Sequence, residues 1–423
     1  MKVSKQEKSW MFYDWANSAY SLAITTTILP LYFKFIAEDA GLKASTSTAY
    51  WGYANSFATL LISLLAPVLG TIADYKGMKK RFFAFFFILG LIFTALLAVV
   101  PASQWLLLLV IYMVTAIGFS GANIFYDAFL VDVTTEKRMD KISANGFALG
   151  YIGSTIPFIL SMLLIFLAQN GTIPLSFAAA CQISFFLTAL WWGLFTIPML
   201  RNVRQIYYVE PEPHPVRNSF KRLLETFRNI KKHKVLFLFL LAYFFYIDGV
   251  GTIIKMASAY GADLGISSAN LLLILLVTQF VAFPFAWLYG WLAGRFPGKT
   301  MLYIAIILYT LMCIYAYFVK TTMDFWILAL LVGTSQGGIQ ALSRSYFAKL
   351  VPKEKSNEFF GFYNIFGRFA AILGPLLVGA VTQMTNSTNA GVLSIVVLFI
   401  IGGLVLTRVP ENSSSQKSNS LSL

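Results

Sequence analysis

The sequence predicts an all-α integral membrane protein, and three observations predict it. Apolar residues make up 58% of the 423 positions and charged residues only 12%, against the roughly 25% charge of soluble domains. Apolar stretches long enough to cross a bilayer, about 20 residues each, recur along the whole chain and leave no soluble domain over. The 32 Lys and Arg residues gather in alternate connections between those stretches. A chain with a mean hydropathy of +0.71 buries its surface in lipid, where a helix satisfies its own backbone.

Twelve spans follow in order. The first covers 10–36: Met1 to Lys8 is short and basic, but the apolar segment after it runs on without a small-residue cleavage site, so it reads as a retained helix and not as a signal peptide. Spans 50–73, 82–100, 105–133, 142–168 and 174–199 complete an N-terminal six-helix bundle over 1–200. A cytoplasmic linker, 201–233, follows. Spans 234–261, 268–292, 300–319, 324–350, 358–383 and 389–408 make a C-terminal bundle over 234–410, and the Ser- and Asn-rich tail 411–423 is expected to be disordered.

The net charge of +14 is a topology signal. After the first helix, the odd-to-even connections hold only Lys43 and Lys320, whereas the even-to-odd ones hold Lys76, Lys79, Lys80 and Arg81, then Lys137, Arg138 and Lys141, then Arg295 and Lys299, then Lys353 and Lys355. By the positive-inside rule these face the cytoplasm, as do both termini, which suits a cell membrane protein. Charge distributed in this way argues against a nucleic-acid partner. Within the linker, Pro211, Pro213 and Pro215 precede a segment in which Val216, Phe220, Leu223, Leu224, Phe227 and Ile230 recur at helical spacing among basic residues. That pattern predicts an amphipathic helix resting on anionic lipid, with a docking site for a partner as the alternative.

Several functions are excluded by what is missing. Cys181 and Cys313 lie far apart inside apolar spans and support neither a disulfide nor a metal cluster. His214 and His233 are both in the linker, and no nucleophile turn, zinc-protease motif or nucleotide loop occurs, so neither an enzyme nor an ATP-driven pump is expected and no cofactor is called for. The two sides of the linker also resemble each other. Phe129, Glu136, Lys137 and Pro157 stand opposite Phe347, Glu354, Lys355 and Pro375, each pair 218 residues apart, and Gly150 stands opposite Gly367 one residue out of register. A duplicated six-helix unit explains the set.

At the exit of the second helix, Gly70, Asp74, Gly77 and the basic group Lys79, Lys80 and Arg81 resemble the loop signature of the major facilitator superfamily. Tyr75 and Met78 stand where that signature is usually basic, which implies a differently wired inner-gate ion pair. The second-half counterpart, Gly290 to Lys299, keeps Gly294, Arg295 and Gly298 but has no acid. Further strings, Tyr13-Asp14-Trp15-Ala16-Asn17-Ser18-Ala19, Phe245-Tyr246-Ile247-Asp248-Gly249-Val250, Gly337-Gly338-Ile339-Gln340-Ala341-Leu342-Ser343-Arg344-Ser345 and Phe360-Gly361-Phe362-Tyr363, are similar to the vacuole-effluxer family, relatives of the autophagy-related amino-acid permease. The resemblance implies a major facilitator fold of two pseudo-symmetric six-helix bundles, monomeric function and small-molecule efflux.

It also implies that helices one, four, seven and ten line a central cavity, and those carry Asp14, Asp127, Asp248 with Lys255, and Arg344. An ionisable side chain in hydrocarbon costs at least about 2.5 kcal/mol, so each needs a partner, water or a use. Asp14, Asp127 and Arg344 sit within about two turns of the cytoplasmic ends of their spans and, with Asp74 and Arg81, are the inner-gate candidates; a permanently paired structural cluster is the alternative. Asp248 and Arg368 fall about 20 and 15 Å deep at a helical rise of about 1.5 Å per residue. They are the substrate and coupling candidates, an Asp and an Arg matching the two ends of an amino acid, with Asp248 alternatively taking the proton. Asn17, Asn123, Gln336 and Gln340 offer neutral hydrogen bonds to a solute, or glue between helices. The expected function is proton-linked export of amino acids or short peptides. Uptake of a sugar, nucleoside or other organic solute, or a non-transporting sensor on the same fold, are the alternatives.

Overall fold

The computed structural model describes residues 3–210, 218–219, 221, 225–226, 233–370 and 372–410, and among them every regular element is a helix. The amphipathic segment expected in the linker falls largely outside the described residues, and the tail expected to be disordered falls wholly outside them. Among the described residues, twelve helices are long and apolar enough to span a membrane. They are α1 (Lys5–Asp39), α2 (Thr46–Ala73), α3 (Met78–Leu97), α4 (Trp105–Val133), α5 (Glu136–Gln169), α6 (Phe177–Asn202), α7 (Lys234–Asp263), α8 (Asn270–Leu292), α9 (Gly298–Phe318), α10 (Thr322–Leu350), α11 (Lys353–Thr385) and α12 (Thr388–Thr407). The exposed faces carry Leu64, Ile92, Phe186, Ile307 and Leu404, the apolar coat that lipid contact demands.

Among the described residues four helices depart from regular geometry: α4 is interrupted at Phe129 and α12 at Ile395, and α1 and α11 are irregular next to a proline. In α1 the backbone widens to a π-helix over Ser21–Thr27. Pro30 has no N–H to give the carbonyl four residues back, and the Thr26 and Thr27 hydroxyls donate to Ser21 O and Leu22 O at 2.9 and 2.6 Å, five residues earlier. In α11 the helix stops at Phe369 and restarts at Leu373, giving α11a (Ser356–Phe369) and α11b (Leu373–Thr385). Pro375 sits in the first turn of α11b, where a missing N–H costs nothing.

The chain forms two compact units. The first comprises Met1–Val133, Leu149–Leu223 and Lys353–Phe362; the second comprises Thr134–Ala148, Leu224–Pro352 and Tyr363–Leu423. Each sequence half therefore contributes the N-terminal end of one helix, α5 or α11, to the unit built mainly by the other half. In the first unit α3 and α4 cross where Gly118 lies against the backbone of Gly90, and the Thr94 and Thr115 hydroxyls meet at 2.6 Å. Gly70 admits the exchanged segment: a Cβ there would stand 2.8 Å from the carbonyl carbon of Asn357. The second unit repeats the device, since a Cβ on Gly290 would stand 2.7 Å from Ala144 Cβ. Gly77, at φ 75°, makes the turn into α3 with a backbone that only glycine adopts without strain.

Candidate functional site

The break in α11 creates the most unusual polar cluster in the membrane part of the second unit. A new helix start leaves N–H groups without intrahelical acceptors, and hydrocarbon offers none. Asp248 of α7, with 0% of its surface exposed, supplies one: Oδ2 accepts the Gly374 N–H at 2.9 Å, while Thr252 Oγ1 donates to Oδ1 at 3.4 Å. Gly374 is what lets α7 come this close, for a Cβ there would overlap the Thr252 hydroxyl and lie 3.0 Å from Asp248 Oδ1. Lys255, two turns further along α7, lies within electrostatic reach of both Asp248 and Arg368, and Arg368 is on the last turn of α11a. One acid and two bases thus share the break.

Beyond this cluster, α7, α8, α9, α10 and α12 line a largely apolar cavity of about 90 Å³, open on one side, with residues such as Ile253, Ile274, Met312 and Leu328 on its wall. Its polar lining includes Thr278, Gln279 and Gln336. Gln340 lies one turn on, half-buried. In the first unit, Asn17 of α1 donates to Asn123 Oδ1 of α4 at 2.7 Å. Asp14 and Asp127 lie within electrostatic reach of the Tyr13 ring, which packs on Tyr126 and Phe83.

The N-terminal ends of α11 and α5 carry two further clusters. In the first unit Asp74, fully buried, accepts the backbone and side-chain N–H groups of Asn357 on Oδ1 at 2.9 and 2.8 Å and the Glu358 N–H on Oδ2 at 3.3 Å, so it caps α11a. Burial pushes its carboxyl up from 3.8 to about 7, against the opposing pull of Lys79 and of the Asn357 donors. Beside it Lys79 Nζ donates to Asp132 Oδ2 at 2.6 Å, Ser356 Oγ at 2.9 Å and Ala128 O at 3.3 Å. In the second unit Asp140 of α5 accepts from Ser345 Oγ at 2.7 Å and from Lys349 Nζ. Arg344 donates to Ser143 Oγ at 2.9 Å and Ser143 O at 3.1 Å over the ring of Phe147.

Of the residues singled out from sequence, the structure brings Asp248 and Arg368 to one break, pairs Asn17 with Asn123, sets Gln336 on a cavity and seats Asp74 and Arg344 on exchanged segments. Arg81 is exposed and, among the described residues, meets only Met78 Sδ, at 3.9 Å. Two residues apart on a helix means nearly opposite faces, and Lys79 is the one turned inward. Asp132, Ser356, Asn357, Asp140 and Thr252 went unnoticed in the sequence. The spacing of Lys79 against Arg81 carried a readable signal; the others acquire meaning only from the partner that folding brings.

A sequence profile of the family described as "Vacuole effluxer Atg22 like" matches residues 3–137 and 131–419. The uncharacterized MFS-type transporter YxiO of Bacillus subtilis (strain 168) is 61% identical over 425 residues, covering 100% of this chain and 99% of its own length. Autophagy-related protein 22 of Kluyveromyces lactis is 24% identical over 446 residues, covering 91% and 89%. Among solved structures, the proton:xylose symporter XylE of the major facilitator superfamily superposes with a TM-score of 0.72 at 12% identity, over 96% of each chain. The human organic anion transporter MFSD10 gives 0.68 at 15% identity, over 95% and 99%. At such identities these two establish the fold alone.

Proposed function

The chain belongs to the vacuole effluxer Atg22-like family of major facilitator transporters, and we propose that it is a proton-linked exporter of amino acids or short peptides. It is a multi-pass membrane transporter and not an enzyme. Our reading adds the cell membrane as its location, cytoplasmic termini, a monomer as the working unit and the proton gradient as the driving force.

One observation carries the reading: a carboxylate buried among membrane helices, Asp248, is aimed at the start of a broken helix with Lys255 and Arg368 in reach. Charged, it is attracted to the positive end of α11b. A proton removes that attraction. A zwitterionic solute offers an ammonium to Asp248 and a carboxylate to the two bases. Proton and ammonium then compete for one acid, and competition for a shared site is the linkage that exchange of proton for solute requires. Asn17, Asn123, Gln336 and Gln340 supply neutral hydrogen bonds to the rest of the solute. Asp14, Asp127, Asp74 and Arg344 belong to the inner gate, and the segments exchanged at the ends of α5 and α11 are its latched form, released when the site is to face the cytoplasm.

The test is flux in proteoliposomes with labelled amino acids, dipeptides, sugars and nucleosides, with and without a pH gradient. Asp248→Asn is expected to lose the dependence of flux on the gradient and to weaken solute exchange as well, because the ammonium loses its charged partner. Gradient-driven movement of a sugar or nucleoside with no amino-acid flux would turn the reading to the uptake carrier. Ligand binding without flux would turn it to the sensor.

A further inference from the structure

Residues 203–210, the stretch that leaves α6, cross the cytoplasmic end of the first unit. Val209 pairs with the α2–α3 turn in two backbone hydrogen bonds: its N–H donates to Asp74 O at 2.9 Å, and its carbonyl accepts the Lys76 N–H at 3.2 Å. Gln205 Nε2 lies 3.3 Å from each of Ala73 O, Asp74 O and Tyr207 O, and its Oε1 accepts the Lys79 N–H at 3.4 Å. The N–H groups of Ile206 and Tyr207 both donate to Asp132 Oδ1, at 2.7 and 2.9 Å. Lys353 Nζ, on the exchanged segment, lies 5.2 Å from the Tyr207 ring.

This crossing bears directly on the buried pair beneath it. The side chains of Lys79 and Asp132 are both 0% exposed, and a desolvated ion pair persists only when its remaining donors and acceptors are filled. Lys79 spends its three protons on Asp132, Ser356 and Ala128. Asp132 gives Oδ2 to Lys79, and its other oxygen is filled by two backbone N–H groups of the stretch from 203 to 210. Continuous hydrogen bonding therefore runs from the linker through Asp132 and Lys79 to Ser356 on the exchanged segment.

We propose that residues 203–209 are a strap that holds the cytoplasmic gate latched, with Asp132 and Gln205 as positioning residues acting through Lys79. The inference rests on the gate reading given above. Withdrawing the strap strips two donors from Asp132 and leaves the ion pair short of partners, so the latch loosens without any change at Lys79 or Ser356. The linker is in this way a component of the gate and not only a tether.

Spin labels at Lys5→Cys and Arg408→Cys, exposed positions in α1 and just beyond α12, report opening of the cytoplasmic side in lipid nanodiscs. Tyr207→Pro deletes one N–H donor to Asp132; Tyr207→Phe keeps that donor and the ring; Gln205→Ala is the milder variant should the proline disturb folding. Lys79→Met breaks the latch itself. Tyr207→Pro and Gln205→Ala are expected to raise the open fraction, by about tenfold for the proline, as loss of a hydrogen bond to a charged group implies, with Tyr207→Phe unchanged. If Lys79→Met opens the molecule and the strap variants do not, the strap is overturned and the gate stands. If no variant shifts the distance distribution, both fall.

Discussion

α5 and α11 occupy matching places in the two sequence repeats, with Pro157 and Pro375 lying 218 residues apart, yet α5 is continuous and α11 is split. Both prolines deny an N–H to the carbonyl four residues back. What differs is the neighbourhood. The residue before Pro157 is Ile156, 39% exposed, whereas the residue before Pro375 is Gly374, which admits α7 so closely that Asp248 reaches the Gly374 N–H. A proline makes a break possible; in hydrocarbon the break happens where an adjacent helix brings an acceptor for the freed donors. The N-terminal ends of the two helices differ in the same sense. Around α11 the ion pair Lys79–Asp132 is wholly buried, while around α5 Lys349, the partner of Asp140, keeps 22% of its side chain exposed.

The largest expected effect breaks that second contrast. Lys79→Met leaves Asp132 buried beside a thioether, and orphaning one member of a buried pair costs about 3–5 kcal/mol. Lys349→Met leaves Asp140 buried but still accepting from Ser345, and with the lysine itself part-exposed the cost is expected to be smaller, about 1–3 kcal/mol. Thermal unfolding of the two purified variants in one detergent should therefore give a clearly lower midpoint for the first than for the second. Equal midpoints would mean that the clusters around α11 and α5 are alike in strength despite their burial.

Gly374→Val sharpens the contrast at the prolines and is expected next in size. Its new methyl groups must displace Thr252 or push α11b from α7, at about 1–3 kcal/mol as for other overpacked sites, and transport should fall with the lost cap. Ile156→Val, at the matching place in α5, removes one outward methylene and should leave stability and flux within error. Flux and unfolding midpoints measured side by side check both.

Much of this architecture was legible in the sequence, because lipid imposes a simple rule on it. Apolar runs gave the twelve spans and the loop residues gave the topology signal; Asp248 was conspicuous as a charge deep in an apolar run, and Asp74 through its glycine-framed loop. The break in α11 was not legible. Pro30, Pro157 and Pro375 look equivalent as letters, and what separates them is a π-widened turn, an outward isoleucine and a carboxylate arriving from another helix. Lys79 and Arg81 likewise differ only in the face they take. Asp132 and Asp140 drew no notice because an acid near a span end is ordinary until its partners, 53 and 209 residues away, are known.

The smallest effect concerns Asp74, whose counterpart in the second repeat is Gly294, so any titration of the latch at this position belongs to one side only. With Asp74 buried against Asn357, its carboxyl is raised to about 7, chiefly by burial and further by Glu358, with Lys79 and the Asn357 donors opposing. In the released state proposed above, water would reach the group and return it toward 3.8. The latched arrangement therefore binds a proton that the released one does not. Its support from this group is fully present below pH 3.8 and is lost as pH rises through about 7. Between about pH 6 and pH 8 the latched-to-open ratio should fall about tenfold, read from the Lys5 and Arg408 spin labels. Asp74→Asn, which cannot titrate, should flatten that dependence. A pH response that survives in Asp74→Asn would place the titrating group elsewhere and overturn this assignment.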